Sequence, residues 1–152
     1  MSGWSARLGE LGIELPAVVA PVAAYVPAVR TGNLVYTSGQ LPITGGELEV
    51  TGKVGAEVSA EDAKALARQC GLNALAAVHA LVGIDAVVRV VKVVGFVASA
   101  PGFAGQPDVV NGASELFGQI FGDAGAHARS AVGVAELPLG APVEVEIIVE
   151  VG

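Results

Sequence analysis

A chain of 152 residues fits one domain and is long enough to bury a real core. Hydrophobic residues make up 53% of it and the mean hydropathy is +0.64, more apolar than a monomer of this size needs, so burial between like subunits is expected. The net charge of −7, with eight scattered Lys and Arg, argues against the clustered basic face that nucleic-acid binding requires, and prolines or charges interrupt every apolar stretch before the roughly 18–20 residues of a membrane helix.

Residues 1–13 place Trp4, Leu8 and Leu11 at helical spacing and predict a short N-terminal helix that packs Trp4 on the domain surface. Glu10 and Glu14 in this region do not fit a signal peptide, and the single Cys70 cannot form an internal disulfide, so a cytoplasmic protein is expected. From Glu14 to Ala23 the chain is Pro-rich and extended. Ala24 to Arg30 and Leu34 to Ser38 read as two strands around the turn signal Thr31-Gly32-Asn33. Glu47 to Val50, after Gly45-Gly46, reads as a short strand or edge, and 51–58 as an irregular loop.

Ser59 can cap a helix that runs to about Val82, with Asp62 at the capping-box position and Gly83 as its stop. Leu66, Cys70, Ala74, Ala77 and Leu81 form its apolar stripe, with Cys70 as a small core residue; Asn73 is placed to bond a neighbouring strand's backbone, and His79 faces solvent. Val87 to Ala98 reads as a central strand, nearly continuous in apolar residues. Arg89 and Lys92 differ in parity there, so at least one must meet a helix layer, an interface or a bulge, with Gly95 the candidate bulge. Pro107 and Asp108 open a second helix whose buried stripe is Val109, Ala113, Leu116, Phe117 and Ile120.

The C-terminal stretch His127 to Val151 holds two strand runs separated by Leu-Pro-Leu-Gly-Ala-Pro. In the last strand Val143, Val145, Ile147, Val149 and Val151 alternate with Glu144, Glu146 and Glu150. In the strand before it Arg129 shares a face with Ala131, Gly133 and Ala135, a floor of small residues that leaves room for another subunit, a helix or a ligand. Two helices can cover one face of the resulting sheet, and the bare face then demands a partner. With two distant histidines and one cysteine, no metal-ligand spacing is present, and no metal is expected.

Ala128-Arg129-Ser130, Glu136-Leu137-Pro138 and Val143-Glu144-Val145-Glu146 resemble the C-terminal signature of the Rid (YjgF-like) family of imine/enamine deaminases. Tyr25-Val26, Gly32-Asn33 and Thr37-Ser38-Gly39-Gln40-Leu41-Pro42 resemble its N-terminal signature, so the likeness covers nearly the whole chain as a single domain over 1–152. It implies an α+β, chorismate-mutase-like fold with two helices on one face of a mixed sheet. It also implies a homotrimer with the sheets packed around the axis and three sites in the clefts between subunits. It further implies binding of a small carboxylate-bearing metabolite and hydrolysis of 2-imino or enamine acids to 2-oxo acids and ammonia, a reaction that needs no metal or cofactor because the imine carbon is already electrophilic.

On this resemblance Arg129 holds the substrate carboxylate, where the residue alone reads as an ion pair with a local glutamate. Glu144 orients the hydrolytic water, against the plain reading of Glu144 and Glu146 as a solvated face of an edge strand. Ser38 and Gly39 line the cleft, Tyr25 closes it, and Asn111 is either a site residue or an exposed residue in the first turn of its helix. Ala131 replaces the family's usual Cys, a position that acts through its main chain; His127 replaces the usual Pro; and Ala23-Ala24 replaces the usual Gly-Pro. These departures keep a non-catalytic metabolite-binding or sensing trimer as the alternative to a deaminase.

Overall fold

The structure, a computed structural model, describes residues 3–152. Met1 and Ser2, part of the expected N-terminal helix, lie outside the described residues; the helix itself forms as α1, Trp4–Leu11. Two strands follow, β1 (Ala28–Thr31) and β2 (Leu34–Thr37), then the long helix α2 (Ala60–Val82), β3 (Val87–Ala98), α3 (Gln106–Phe121), β4 (Ala128–Val134) and β5 (Val143–Val151). The strands form one five-stranded sheet in the order β1-β2-β5-β3-β4, in which only β3 and β4 are parallel. That parallel step is the one α3 bridges, as a crossover connection requires.

Alternation in β5 organises the molecule. Its odd-numbered residues from Val143 to Val151 are buried against α2 and α3, and Glu144, Glu146, Ile148 and Glu150 face the other way. Both helices lie on the first face, so the architecture is α+β with one side of the sheet left bare of helices. Tyr36 and Val132 stand 43% and 44% exposed on that bare side, in register rows with Ile148 and Glu144 respectively.

Ser59 caps α2 as its position predicts, accepting from the Asp62 backbone N–H at 3.1 Å. α2 has the length and hydropathy of a membrane span, but Ala63, Ala67, Cys70, Ala74 and Val78 are fully buried in the core, so it is a core helix. Of its expected stripe, Leu81 departs: it is 46% exposed and borders a shallow apolar hollow with Val18 and Val26. Asn73 is fully buried and donates to the carbonyls of Leu41 and Ile43 at 2.9 and 3.0 Å, pinning the loop after β2 to the helix.

Three local expectations are corrected. β1 begins at Ala28 rather than Ala24, because Pro27 has no N–H to give the ladder and residues 22–25 bend instead. Glu47–Val50 makes no strand; its only ladder contact is the Thr44–Glu47 bridge that closes the Gly45-Gly46 turn. The irregularities in β3 lie between Val87 and Arg89 and between Val90 and Lys92, not at Gly95. The second one resolves the parity conflict, since Arg89 pairs with Glu150 and Lys92 with Ile148, both on the bare face. Gly95 serves another purpose: a Cβ there would run into the Val110 side chain, so its absence lets α3 approach the sheet.

α1 packs on the corner formed by α3 and the turn before β3. Trp4 meets Phe121 edge-on at 5.0 Å, its Nε1 donates to Val87 O at 2.7 Å, and Asp85 accepts from both the N–H and the hydroxyl of Ser5.

Candidate functional site

The expected site residues fall into two groups. The first lies where β4 meets the first turns of α3. Arg129 pairs in register with Val93, and Val93 with Ile147, so its side chain leaves the sheet on the helix side. There Nη1 donates to Asn111 Oδ1 at 2.7 Å and to Ser114 Oγ at 3.2 Å, and Nη2 donates to Pro107 O at 3.2 Å. All three acceptors are neutral. Among the described residues no carboxylate stands within ion-pair distance of Arg129, so the reading of a structural salt bridge with a local glutamate does not hold. Three of the five guanidinium N–H groups are used, leaving Nε–H and one Nη2–H for an anion. Asn111 is a partner of Arg129 rather than a free first-turn residue, and Ala131, two residues along the strand, packs against the core.

The second group surrounds a narrow cavity between the segment 19–27 and the chain that leaves β2. Gln40 pairs with Val145 through two backbone hydrogen bonds of 2.8 and 3.0 Å, which lays Gly39 against the Glu144 carboxylate. A Cβ on Gly39 would occupy the space of that carboxylate, so glycine is what lets the two meet. Tyr25, Gly39, Gln40 and Glu144 line the cavity, of about 40 Å³, with Val19 to Val22 as its outer wall. Such a space takes only a few water molecules. The Tyr25 hydroxyl accepts from the Val22 N–H at 3.2 Å, and the Ser38 hydroxyl donates to Val26 O at 2.6 Å; both side chains hold the wall in place.

Burial raises the pKa of Glu144 above the ordinary carboxylate value, and the neighbouring Glu146 charge raises it further. The reading of Glu144 and Glu146 as the solvated face of an edge strand is corrected, because β5 is the middle strand of five and both glutamates are half-buried. Cys70 is wholly buried, and desolvation pushes its thiol well above the ordinary value, which leaves it a packing residue. Among the described residues no group of three or more His, Cys, Asp or Glu side chains is placed to hold a metal.

The two groups do not converge within one chain. Glu144 pairs with Phe96, and Phe96 with Val132, on the bare face; Arg129 lies on the helix face. Sequence reasoning did not anticipate Ser114, although it follows Asn111 by three residues and therefore shares its helix face. It also missed the wall formed by Val19 to Val22, which no motif marks.

The fold and the paired motifs define a protein of the YjgF/Rid type, and the family model described as endoribonuclease L-PSP matches residues 16–151. The chain belongs to that family. It is 46% identical to protein TCP17 of Trypanosoma cruzi over 148 residues, which are 96% of this chain and 92% of that one. The crystal structure of protein Atu1372 from Agrobacterium tumefaciens matches with a TM-score of 0.88 at 46% identity, covering 98% of this chain and 93% of that one. Escherichia coli TdcF, solved with bound serine, matches with a TM-score of 0.65 at 25% identity over 91% of this chain and 96% of its own.

Proposed function

We propose that this protein is a cytoplasmic homotrimer that binds a small carboxylate-bearing metabolite between subunits and hydrolyses 2-imino or enamine acids to 2-oxo acids and ammonia. The observation that carries the reading is the Arg129 guanidinium, held by three neutral oxygens with its charge unpaired and two N–H groups free. A fixed, uncompensated guanidinium suits a carboxylate, which it binds through parallel N–H···O bonds. TdcF, a relative with bound serine, supports a ligand of amino-acid size carrying such a group.

Glu144 supplies the proton chemistry. Its raised pKa brings it nearer to working pH, where a carboxylate takes and returns a proton efficiently. Water adds to the imine carbon as Glu144 takes its proton, and the C=N electron pair moves to nitrogen. Glu144 hands that proton to the nitrogen, which completes the carbinolamine; it then takes the hydroxyl proton as the carbonyl forms and passes it to the nitrogen, which leaves as ammonia when the C–N bond breaks. The reaction needs no electron acceptor, and the carbon is already electrophilic.

The test is ammonia release from 2-iminopropanoate, generated in place from alanine by an amino-acid oxidase, with the wild-type protein and with Arg129→Ala. The proposal expects acceleration by the wild type and loss of it in the variant. A correctly folded wild type that leaves the rate at background overturns it.

A further inference from the structure

We infer that Ser114 and His127 are positioning residues for Arg129, joined to it in one line of hydrogen bonds that sets how the guanidinium meets a carboxylate. This rests on the proposed role of Arg129. His127 Nδ1 lies 2.6 Å from Gly125 O, and its Nε2 lies 2.9 Å from Ser114 Oγ, which in turn accepts from Arg129 Nη1 at 3.2 Å. A carbonyl only accepts, so Nδ1 carries the proton, and in the neutral ring Nε2 is then an acceptor. With the ring neutral, the Ser114 hydroxyl points its hydrogen at His127 and its lone pairs at Arg129.

A hydroxyl free to rotate would orient Arg129 only part of the time; one bound to a fixed imidazole does so continuously. The imidazole is itself fixed, between Gly125 O and the Phe117 ring, with which it forms a T-shaped pair with centroids 6.0 Å apart. Asn111 and Pro107 hold the other positions of the guanidinium, so its rotation about the side-chain axis is restrained from the α3 side at three points. What remains unpartnered is Nε–H with one Nη2–H, donors suited to a single carboxylate.

The experiment has two arms, on the full chain. The first is ¹⁵N NMR at neutral pH of wild type, Ser114→Ala, His127→Leu and His127→Gln, the last restoring an acceptor where Nε2 stood. The wild type is expected to show His127 protonated on Nδ1 and distinct, slowly exchanging Arg129 Nη signals. Those signals are expected to average in Ser114→Ala and His127→Leu and to separate again in His127→Gln. The second arm is steady-state hydrolysis of 2-iminopropanoate. Loss of one neutral hydrogen bond predicts KM about fivefold higher in Ser114→Ala and His127→Leu, with kcat changed less and KM partly recovered in His127→Gln.

Arg129 signals as ordered in Ser114→Ala and His127→Leu as in wild type overturn the inference, as does an unchanged KM in an active protein. If no protein hydrolyses the imine, the deaminase reading fails, and the NMR arm alone decides whether the line positions Arg129.

Discussion

Arg129 and Glu144 stand on opposite faces of one sheet. The register rows Arg129–Val93–Ile147 and Val132–Phe96–Glu144 put the guanidinium with the helices and the carboxylate on the bare side. β4 is an edge strand, so a ligand touching both groups must lie beyond that edge or between subunits. The 40 Å³ cavity of one chain, too small for an imino acid, leads to the same requirement.

Glu144→Gln should abolish turnover yet raise thermal stability at neutral pH. A carboxyl whose folded pKa is raised is ionised at a cost in the native state, and that cost grows as pH rises from its unfolded to its folded value. Below the ordinary carboxylate range both states are protonated and the cost vanishes. The gain in Tm from Glu144→Gln is therefore expected at pH 7 and absent at pH 3, as differential scanning calorimetry would read it. The acid limb of the wild-type rate profile should likewise fall above the usual glutamate range.

Gly39→Ala should uncouple activity from folding. The new methyl displaces the Glu144 carboxylate, whose side chain can swing outward, so Tm should change little. Misplacing the base should lower kcat by about tenfold to a hundredfold. A fully active Gly39→Ala protein would show that the contact between Gly39 and Glu144 is not part of the reaction.

Asn73→Ala should destabilise by about 2 kcal/mol in urea titration, because the buried Ile43 carbonyl loses its donor and the Leu41 carbonyl keeps only the Ile43 N–H. The same change frees the loop after Gln40, so KM should rise as well.

Trp4→Ala should cost about 2 kcal/mol of stability, through lost contact with Phe121 and the bond to Val87 O, while kcat stays at the wild-type value. α1 docks at the α3 corner and contributes no residue to the cavity beside Glu144, so a large loss of activity in this variant would place the helix in the site after all.

Much of this was legible in the sequence because it is local. The alternation of Val143–Val151, the Ser59 cap and the stripe of α3 each follow from spacing within one element, whereas Asn73 bonds the loop after β2 and not the strand backbone expected for it. The short strand at Glu47–Val50 failed because its composition suits a strand but no neighbouring chain pairs with it beyond the Thr44–Glu47 bridge that closes the Gly45-Gly46 turn. Gly95 was misread because its small size answers to Val110, a residue of another element. The sheet order is non-local: nothing in the run of β5 says that it lies between β2 and β3, so Glu144 could be taken for an edge residue. For the same reason the separation of Arg129 from Glu144 could be seen only once the register was known, although both residues were identified from their motifs.

A subunit-mixing assay tests the central claim, that Arg129 of one subunit works with Glu144 of another. Arg129→Ala and Glu144→Gln are each expected to be inactive alone. Co-expressed in equal amounts and assembled at random, they should regain roughly a quarter of wild-type deaminase activity, since that share of interfaces joins an intact Arg129 to an intact Glu144. A mixed assembly, verified by native mass spectrometry, that stays as inactive as its parents would contradict the claim.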